Sequence, residues 1–169
     1  MNMENLVVKP QVEFMEAVKM AFKNIVTFKG RSRRSEFWWA ELAFIIIMLI
    51  LGCIPVVGQL VGIVIALTNL SLTFRRLHDT NHSGWWVGVP MIISFIAIIV
   101  LVCTLGLSAL TGDMDAMAGA SIGSSLFAIL LYITAGILQI VVLVFCCMDS
   151  EPTTNKYGES PKYVVEQEN

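Results

Sequence analysis

The sequence is poor in charged residues, which occupy 14% of its 169 positions, whereas a soluble domain usually contains about 25%. Hydrophobic residues make up 56% of the chain. This composition excludes an ordinary soluble domain and indicates a single membrane domain. The net charge of −2 gives no support for binding to nucleic acid.

The residues that usually carry catalysis are also scarce. The four cysteines show no zinc-type spacing, so we expect them to pack as small apolar side chains. His78 and His82 are four residues apart beside Asp79, but Ser83-Gly84 disfavours a continuing helix and no third histidine exists. We therefore predict no metal site, no cofactor and no catalytic residues.

Long apolar runs predict the fold, an all-α integral membrane protein with four transmembrane helices preceded by an amphipathic interfacial helix. Residues 1–11 form an N-terminal tail without the pattern of a signal peptide. The membrane domain, 12–148, contains the amphipathic helix at 12–28 and spans at about 37–53, 59–74, 85–107 and 122–148. We expect a loop at Ser108–Ser121 and an extended, solvated polar tail at 149–169.

Two interpretations of the amphipathic helix remain open at this point. Its apolar face could lie in the headgroup region, or it could pack on the helix bundle.

The distribution of positive charge predicts the orientation. All eleven Lys and Arg residues lie in the N-terminal segment, between the second and third spans, or in the tail, and the other two loops contain none. Positive loops stay in the cytoplasm, so we predict a multi-pass membrane protein with both termini cytoplasmic.

A basic and aromatic face is expected at the cytoplasmic boundary. Anionic lipids attract Lys and Arg at a membrane surface, and tryptophan favours the headgroup level. A plain topology signal is the alternative interpretation of the basic run. The predicted interface residues are Lys29, Arg31, Arg33, Arg34, Trp38, Trp39, Trp85 and Trp86.

Spans one and two would form an antiparallel hairpin that turns near Pro55. This register places Glu36 level with Arg75, and Glu41 level with Asn69. A carboxylate inside the hydrocarbon is costly, so Glu41 should face protein. The polar cluster would serve either as an ion-pair clasp or as a site for an anionic headgroup, a small solute or a proton; its members are Glu36, Glu41, Asn69, Arg75, Arg76, His78 and Asp79.

Three motifs resemble those of the DUF805 family, whose members are small bacterial inner-membrane proteins. They are Gly30 to Trp38, Phe74 to Asp79 with Ser83 to Trp86, and Asn155 to Gly158. The resemblance implies four spans with cytoplasmic termini and implies no activity. Asn81 and His82 stand where the family usually has a glycine and a basic residue. The tail has Tyr157-Gly158-Glu159-Ser160-Pro161 where Tyr-Gly-Pro is usual.

These observations favour a non-enzymatic membrane component whose partners are the lipid bilayer, anionic lipids and a membrane protein or a second copy of itself. The alternative is a small transporter or channel subunit. Four short helices enclose little room, so transport would require an oligomer.

Overall fold

The computed structural model describes residues 6–111 and 114–165. This part of the chain is mostly helical, with five helices and two short strands. Two compact units form, one from the residues up to Gly84 together with those from Val144 onward, the other from Trp85–Leu143. The elements are β1 (Leu6–Val8), α1 (Phe14–Lys23), α2 (Arg34–Leu51), α3 (Val57–Asp79), α4 (Trp85–Thr111), α5 (Met114–Cys147) and β2 (Tyr163–Val165).

Helix α1 is shorter than the predicted amphipathic helix, and its apolar face packs on the first unit. Ala17 and Ala21 are fully buried, because small side chains four residues apart let α1 approach its neighbour closely. The Phe22 and Phe44 rings meet edge to face at 5.9 Å, which joins α1 to α2. Of the two interpretations of this helix, the structure therefore supports packing on the bundle.

Helices α2 and α3 form the hairpin expected from the sequence. The turn places Val56 at φ 68°, a region that β-branched residues rarely adopt. Gly58 lies so close to the α2 terminus that an added Cβ would be 2.6 Å from the Gly52 carbonyl oxygen. A glycine is thus required for the two helix ends to approach each other.

The second helix of the hairpin is longer than the predicted span of 59–74. Helix α3 continues to Asp79, so Arg75–Asp79 belong to a helix and not to the connection between the predicted spans 59–74 and 85–107. An Arg76–Asp79 salt bridge within one turn stabilises this extension. The remaining connection to α4 is short.

Three helices are long and apolar enough to cross a membrane: Val57–Asp79, Trp85–Gly106 and Ile122–Cys147. Helix α2 has the length of a span, but it carries Arg34, Glu36 and Glu41 within 18 residues. Helix α3 also carries three charges, Arg75, Arg76 and Asp79, but they follow an uncharged stretch at 57–74, and α2 contains no uncharged stretch of that length.

In the second unit, the predicted loop at Ser108–Ser121 is mostly helical. Helix α4 continues to Thr111 and α5 begins at Met114. The segment that suggested a loop is rich in alanine and methionine, which are good helix formers. Asp113 lies outside the described residues.

The chain ends also differ from the prediction, since β1 and β2 pair antiparallel with Leu6 opposite Val165 and Val8 opposite Tyr163. A bond from the Lys9 amide to the Lys162 carbonyl, 2.8 Å long, extends this pairing. The all-α prediction therefore omitted a two-stranded sheet, and the tail is not wholly solvated. Two adjacent valines in each strand, with Tyr163 in β2, suit such pairing.

Candidate functional site

The arginine cluster, which we define as Arg31, Arg75, Arg76, Glu36 and Asp79, lies where α2 begins and α3 ends. Asp79 is fully buried and accepts bonds from two guanidiniums. Arg31 Nε lies 3.0 Å from Asp79 Oδ1, and Arg76 Nη1 lies 2.6 Å from Asp79 Oδ2. One carboxylate thus joins the segment before α2 to the last turn of α3.

The C-terminal tail completes the surroundings of Asp79. Ser150 Oγ donates to Asp79 Oδ2 at 2.5 Å, and the Glu151 amide donates to the Asp79 carbonyl at 3.1 Å. Arg31 also donates to the carbonyls of Glu151, Thr153 and Gly158. The tail is therefore an integral part of the cluster, because it supplies the acceptors that the Arg31 guanidinium needs.

Carbonyl groups at the end of α5 bind the second arginine. Arg76 Nε donates to the Cys146 carbonyl at 3.1 Å, and Arg76 Nη2 donates to that of Met148. These carbonyls have no helical partner at a helix C-terminus, so a guanidinium satisfies them well. Arg76 consequently ties the last turn of α3 to the end of α5.

Arg75 forms a separate pair with Glu36, as the hairpin register suggested. Its Nη1 lies 3.0 Å from Glu36 Oε1, and both side chains are almost completely buried. The Nε and Nη2 groups of Arg75 have no hydrogen-bond partner among the described residues. The pair therefore leaves donor capacity unused inside the cluster.

Glu41 and Asn69 also meet. Asn69 Nδ2 donates to Glu41 Oε1 at 2.5 Å, and Thr73 Oγ1 lies 3.2 Å from Asn69 Oδ1. The Asn69 amide group is therefore held between the Thr73 hydroxyl and the Glu41 carboxylate. Glu41 thus has a protein partner, in agreement with the expectation that it faces protein.

The histidines occupy packed positions. His78 is 8% exposed, stacks on Tyr157 with ring centroids 3.7 Å apart, and places Nδ1 3.2 Å from the Gly30 carbonyl. His82 stacks on Phe145 at 3.8 Å. Within the described residues, no three His, Cys, Asp or Glu side chains converge on a common point.

The basic run is divided between the interior and the surface. Arg31 and Arg33 are 9% and 6% exposed, so most of each side chain packs against protein. Arg33 Nη1 donates to the Pro10 carbonyl at 2.5 Å. Lys29 and Arg34 are exposed. A run of basic letters could not reveal that alternate arginines turn inward to bind distant backbone.

An open cavity of about 380 Å³ lies at the start of α2, and we call it the headgroup cavity. Its basic lining is Arg33, Arg34 and Lys162, and Trp38 and Trp39 form its aromatic side. The two indoles are 39% and 40% exposed. The remaining lining residues are Gln11, Ser35, Asp149 and Ser150.

One carboxylate in this cavity is already paired. Lys162 Nζ binds Asp149 Oδ2, and this hydrogen bond lowers the pKa of Asp149 below its ordinary value. Burial opposes protonation of Lys162, but the same bond raises the pKa of its ammonium overall. Arg34 makes no salt bridge within the described part of the chain. The cavity thus contains an arginine charge that no carboxylate neutralises by direct contact.

The remaining predicted interface residues lie in the second unit. Trp85 and Trp86 begin α4 and are 65% and 40% exposed. Their position at a helix start suits a boundary between water and lipid.

The tail contributes Ser150, Glu151 and Asn155, three residues that are not among those predicted for the site. Asn155 Nδ2 donates to the His78 carbonyl at 2.9 Å. The signal for this contact was the third motif, Asn155 to Gly158, because it extends the resemblance to the family into the tail.

The three separated motifs therefore meet in one structure. Arg31 from the first binds Asp79 from the second, and Tyr157 from the third stacks on His78.

The family model described as "Protein of unknown function (DUF805)" matches residues 25–159. The chain belongs to this family. The matched region includes every member of the arginine cluster, so the cluster lies inside the part of the chain that DUF805 proteins share. Family membership supplies no activity.

Two Escherichia coli (strain K12) proteins are similar to the chain. "Inner membrane protein YhaI" is 40% identical over 149 residues, covering 83% of this chain and 91% of YhaI. "Inner membrane protein YhaH" is 36% identical over 98 residues, covering 50% of this chain and 81% of YhaH. No solved structure shows significant similarity to the chain. These relatives agree with the three long apolar helices in indicating an inner-membrane protein.

Proposed function

We propose that this protein is a non-enzymatic component of the bacterial inner membrane that binds the headgroup of an anionic lipid. The headgroup cavity carries this proposal, because it combines a salt-bridge-free arginine with two exposed indoles at the start of a long helix. Arginine binds phosphate through a planar fork of donors, and tryptophan favours the headgroup level of a bilayer.

The helix start itself adds to the attraction for an anion. The first helical bond of α2 runs from the Phe37 amide to the Arg33 carbonyl, and Arg33 caps the helix without a side-chain bond. The preceding amides of the first turn have no helical acceptor. Together with the helix dipole, they favour negative charge beside Arg34.

The membrane arrangement is part of the proposal. We infer four spans, with α2 as the first, and cytoplasmic termini, because the loops that lack Lys and Arg would then lie outside. The three charges of α2 lie in its first half, where Glu36 and Glu41 have protein partners. Such a helix can cross the bilayer with its charged end at the cytoplasmic boundary. In this arrangement α1 lies beside the headgroups while it packs on α2.

Lipid retention in native mass spectrometry tests this function. Wild type and an Arg34→Gln, Lys162→Gln double variant are extracted from nanodiscs that contain phosphatidylglycerol or only phosphatidylcholine. We expect wild type to retain phosphatidylglycerol in preference to phosphatidylcholine and the double variant to lose this preference. Lys29→Gln is the matched control, since Lys29 is exposed and does not line the cavity.

Competition with inorganic phosphate identifies the bound chemistry. If inorganic phosphate alone binds to the cavity as well as phosphatidylglycerol does, the site recognises a free phosphate and not a lipid. Equal retention of phosphatidylglycerol by wild type, the double variant and the control would refute the proposal.

Transport is the weaker candidate, because the polar residues that would line a path are bonded to one another. Glu41 contacts Asn69, and Arg75 contacts Glu36. Vesicles that contain the protein at high density and become permeable to protons or metabolites would favour transport over lipid binding.

A further inference from the structure

A polar side chain in the second unit has no partner in a region where one is needed. Gln139 lies in the candidate span Ile122–Cys147, roughly two turns or about 12 Å before its end. The side chain is exposed and makes no hydrogen bond with any residue that the structure describes. Hydrocarbon offers neither donors nor acceptors, so an isolated amide at this depth is unfavourable.

Gln139 borders an open groove of about 470 Å³ between α4 and α5. Ser94, Ala135 and Gly136 also line it, so small side chains alternate there with larger ones such as Phe95 and Tyr132. A Cβ added at Gly136 would meet no atom within 4 Å, which means that packing inside the chain does not require a glycine there. Small residues of this kind let another helix approach closely in a membrane.

The residues beside Gln139 form a continuous seam on α5. Tyr132, Gly136, Gln139 and Leu143 follow the alternating four- and three-residue spacing of helix-pair contacts, and all four are exposed. Acyl chains could cover the apolar members of this seam, but they cannot satisfy the amide.

A second copy of the chain satisfies the amide by symmetry. Copies inserted in the same direction place identical residues at identical depth, and a twofold axis along the membrane normal brings the two seams together. Each glutamine amide has both donors and an acceptor, so two of them can bond reciprocally. We propose that the α5 seam is the interface of a homodimer, with the Gln139 side chains paired across it. This proposal is independent of lipid binding at the headgroup cavity.

Dimerisation can be measured by single-molecule photobleaching in liposomes over a wide range of protein-to-lipid ratios. We expect wild type to form dimers and Gln139→Leu to raise the dissociation constant roughly three- to thirtyfold. Gln139→Asn preserves an amide and should retain more of the affinity than Gln139→Leu. Gly136→Leu should weaken the dimer through steric clash.

Gly123→Leu is the matched control, because position 123 also faces open space on α5 but lies roughly 20 Å along the helix. It should dimerise like wild type. Circular dichroism verifies folding, and if Gly136→Leu fails to fold, the comparison of Gln139→Leu with Gln139→Asn decides.

Three results would overturn the proposal. Wild type could remain monomeric at every density, Gln139→Leu could dimerise like wild type, or the control Gly123→Leu could weaken association as much as the substitutions at 136 and 139. A monomer that loses a bound lipid or another protein on Gln139→Leu would assign the groove to that occupant instead.

Discussion

Replacing Asp79 by asparagine should destabilise the protein strongly, since this side chain balances two buried arginines. The substitution preserves shape but removes the charge that faces Arg31 and Arg76. It also replaces one acceptor oxygen by an NH₂ group, which would point its hydrogens at a guanidinium or at Ser150. An unsatisfied donor then adds to the cost of an uncompensated charge.

The expected magnitude follows from the burial of all three side chains, each at most 1% exposed. Removing one partner of a buried ion pair costs about 3–5 kcal/mol. For a chain of this size, such a loss lowers the thermal midpoint by about 6–20 °C. The measurement is thermal unfolding of the purified protein in detergent, with circular dichroism as the probe.

Asp149→Asn is the matched control, since it removes a carboxylate from a pair whose acid is 54% exposed. Exposed pairs contribute only about 0–1 kcal/mol, so this variant should unfold close to wild type. Adding Arg31→Met to Asp79→Asn should restore part of the stability, because it removes one uncompensated cation. An Asp79→Asn midpoint indistinguishable from that of Asp149→Asn would refute the assignment of Asp79 as the centre of the cluster.

Three further predictions concern other parts of the chain. Asn81 has a φ of 60°, a conformation that valine rarely adopts and glycine adopts readily. Asn81→Val should therefore lower the free energy of unfolding by about 1–2 kcal/mol, and Asn81→Gly should not lower it. Equal stability of the two variants during unfolding in detergent would contradict this prediction. The lowered pKa of Asp149 and raised pKa of Lys162 mean that their pair stabilises the protein between about pH 5 and 9. Its contribution is lost as pH falls through the folded pKa of Asp149, below 3.8, and as pH rises through that of Lys162, above 10.5. In a pH series of unfolding midpoints, the Asp149→Asn variant should lack this dependence. In single-cysteine variants, Cys53 should react with an impermeant maleimide added to intact cells and Cys147 should not, whereas the reverse pattern would place the termini outside.

Local patterns predicted the helices and the hairpin because both depend on neighbouring residues. Apolar runs predicted where the helices lie. The position of the turn predicted which residues of α2 and α3 lie opposite each other, so Glu36 could be matched with Arg75 from their distances to the turn. The sequence did not distinguish Arg31, which is buried, from Arg34, which is exposed. Both have the same local surroundings, and only the distant Asp79 and the tail make burial of Arg31 favourable.

The tail illustrates the same limit for backbone structure. The short valine-containing segments Leu6–Val8 and Tyr163–Val165 are too brief to predict a sheet by themselves, and each becomes a strand only when the other is present. Likewise, Ser150 is an ordinary polar residue until Asp79 is placed beside it. Long-range polar contacts of this kind could be anticipated only from the three motifs taken together.

An ion-pair clasp and a headgroup site are not competing interpretations of this region, because charge balance connects them. The buried arginines in the described part of the chain are Arg31, Arg33, Arg75 and Arg76, and the buried carboxylates are Glu36 and Asp79. These four arginines outnumber the two carboxylates, so the buried charge is positive overall. One of the four, Arg33, lines the headgroup cavity beside Arg34. An anion bound in the cavity would offset the repulsion among these buried arginines. We accordingly expect phosphatidylglycerol to raise the unfolding midpoint of wild type and to raise that of the Arg34→Gln, Lys162→Gln variant less, since only a ligand that binds the folded state stabilises it.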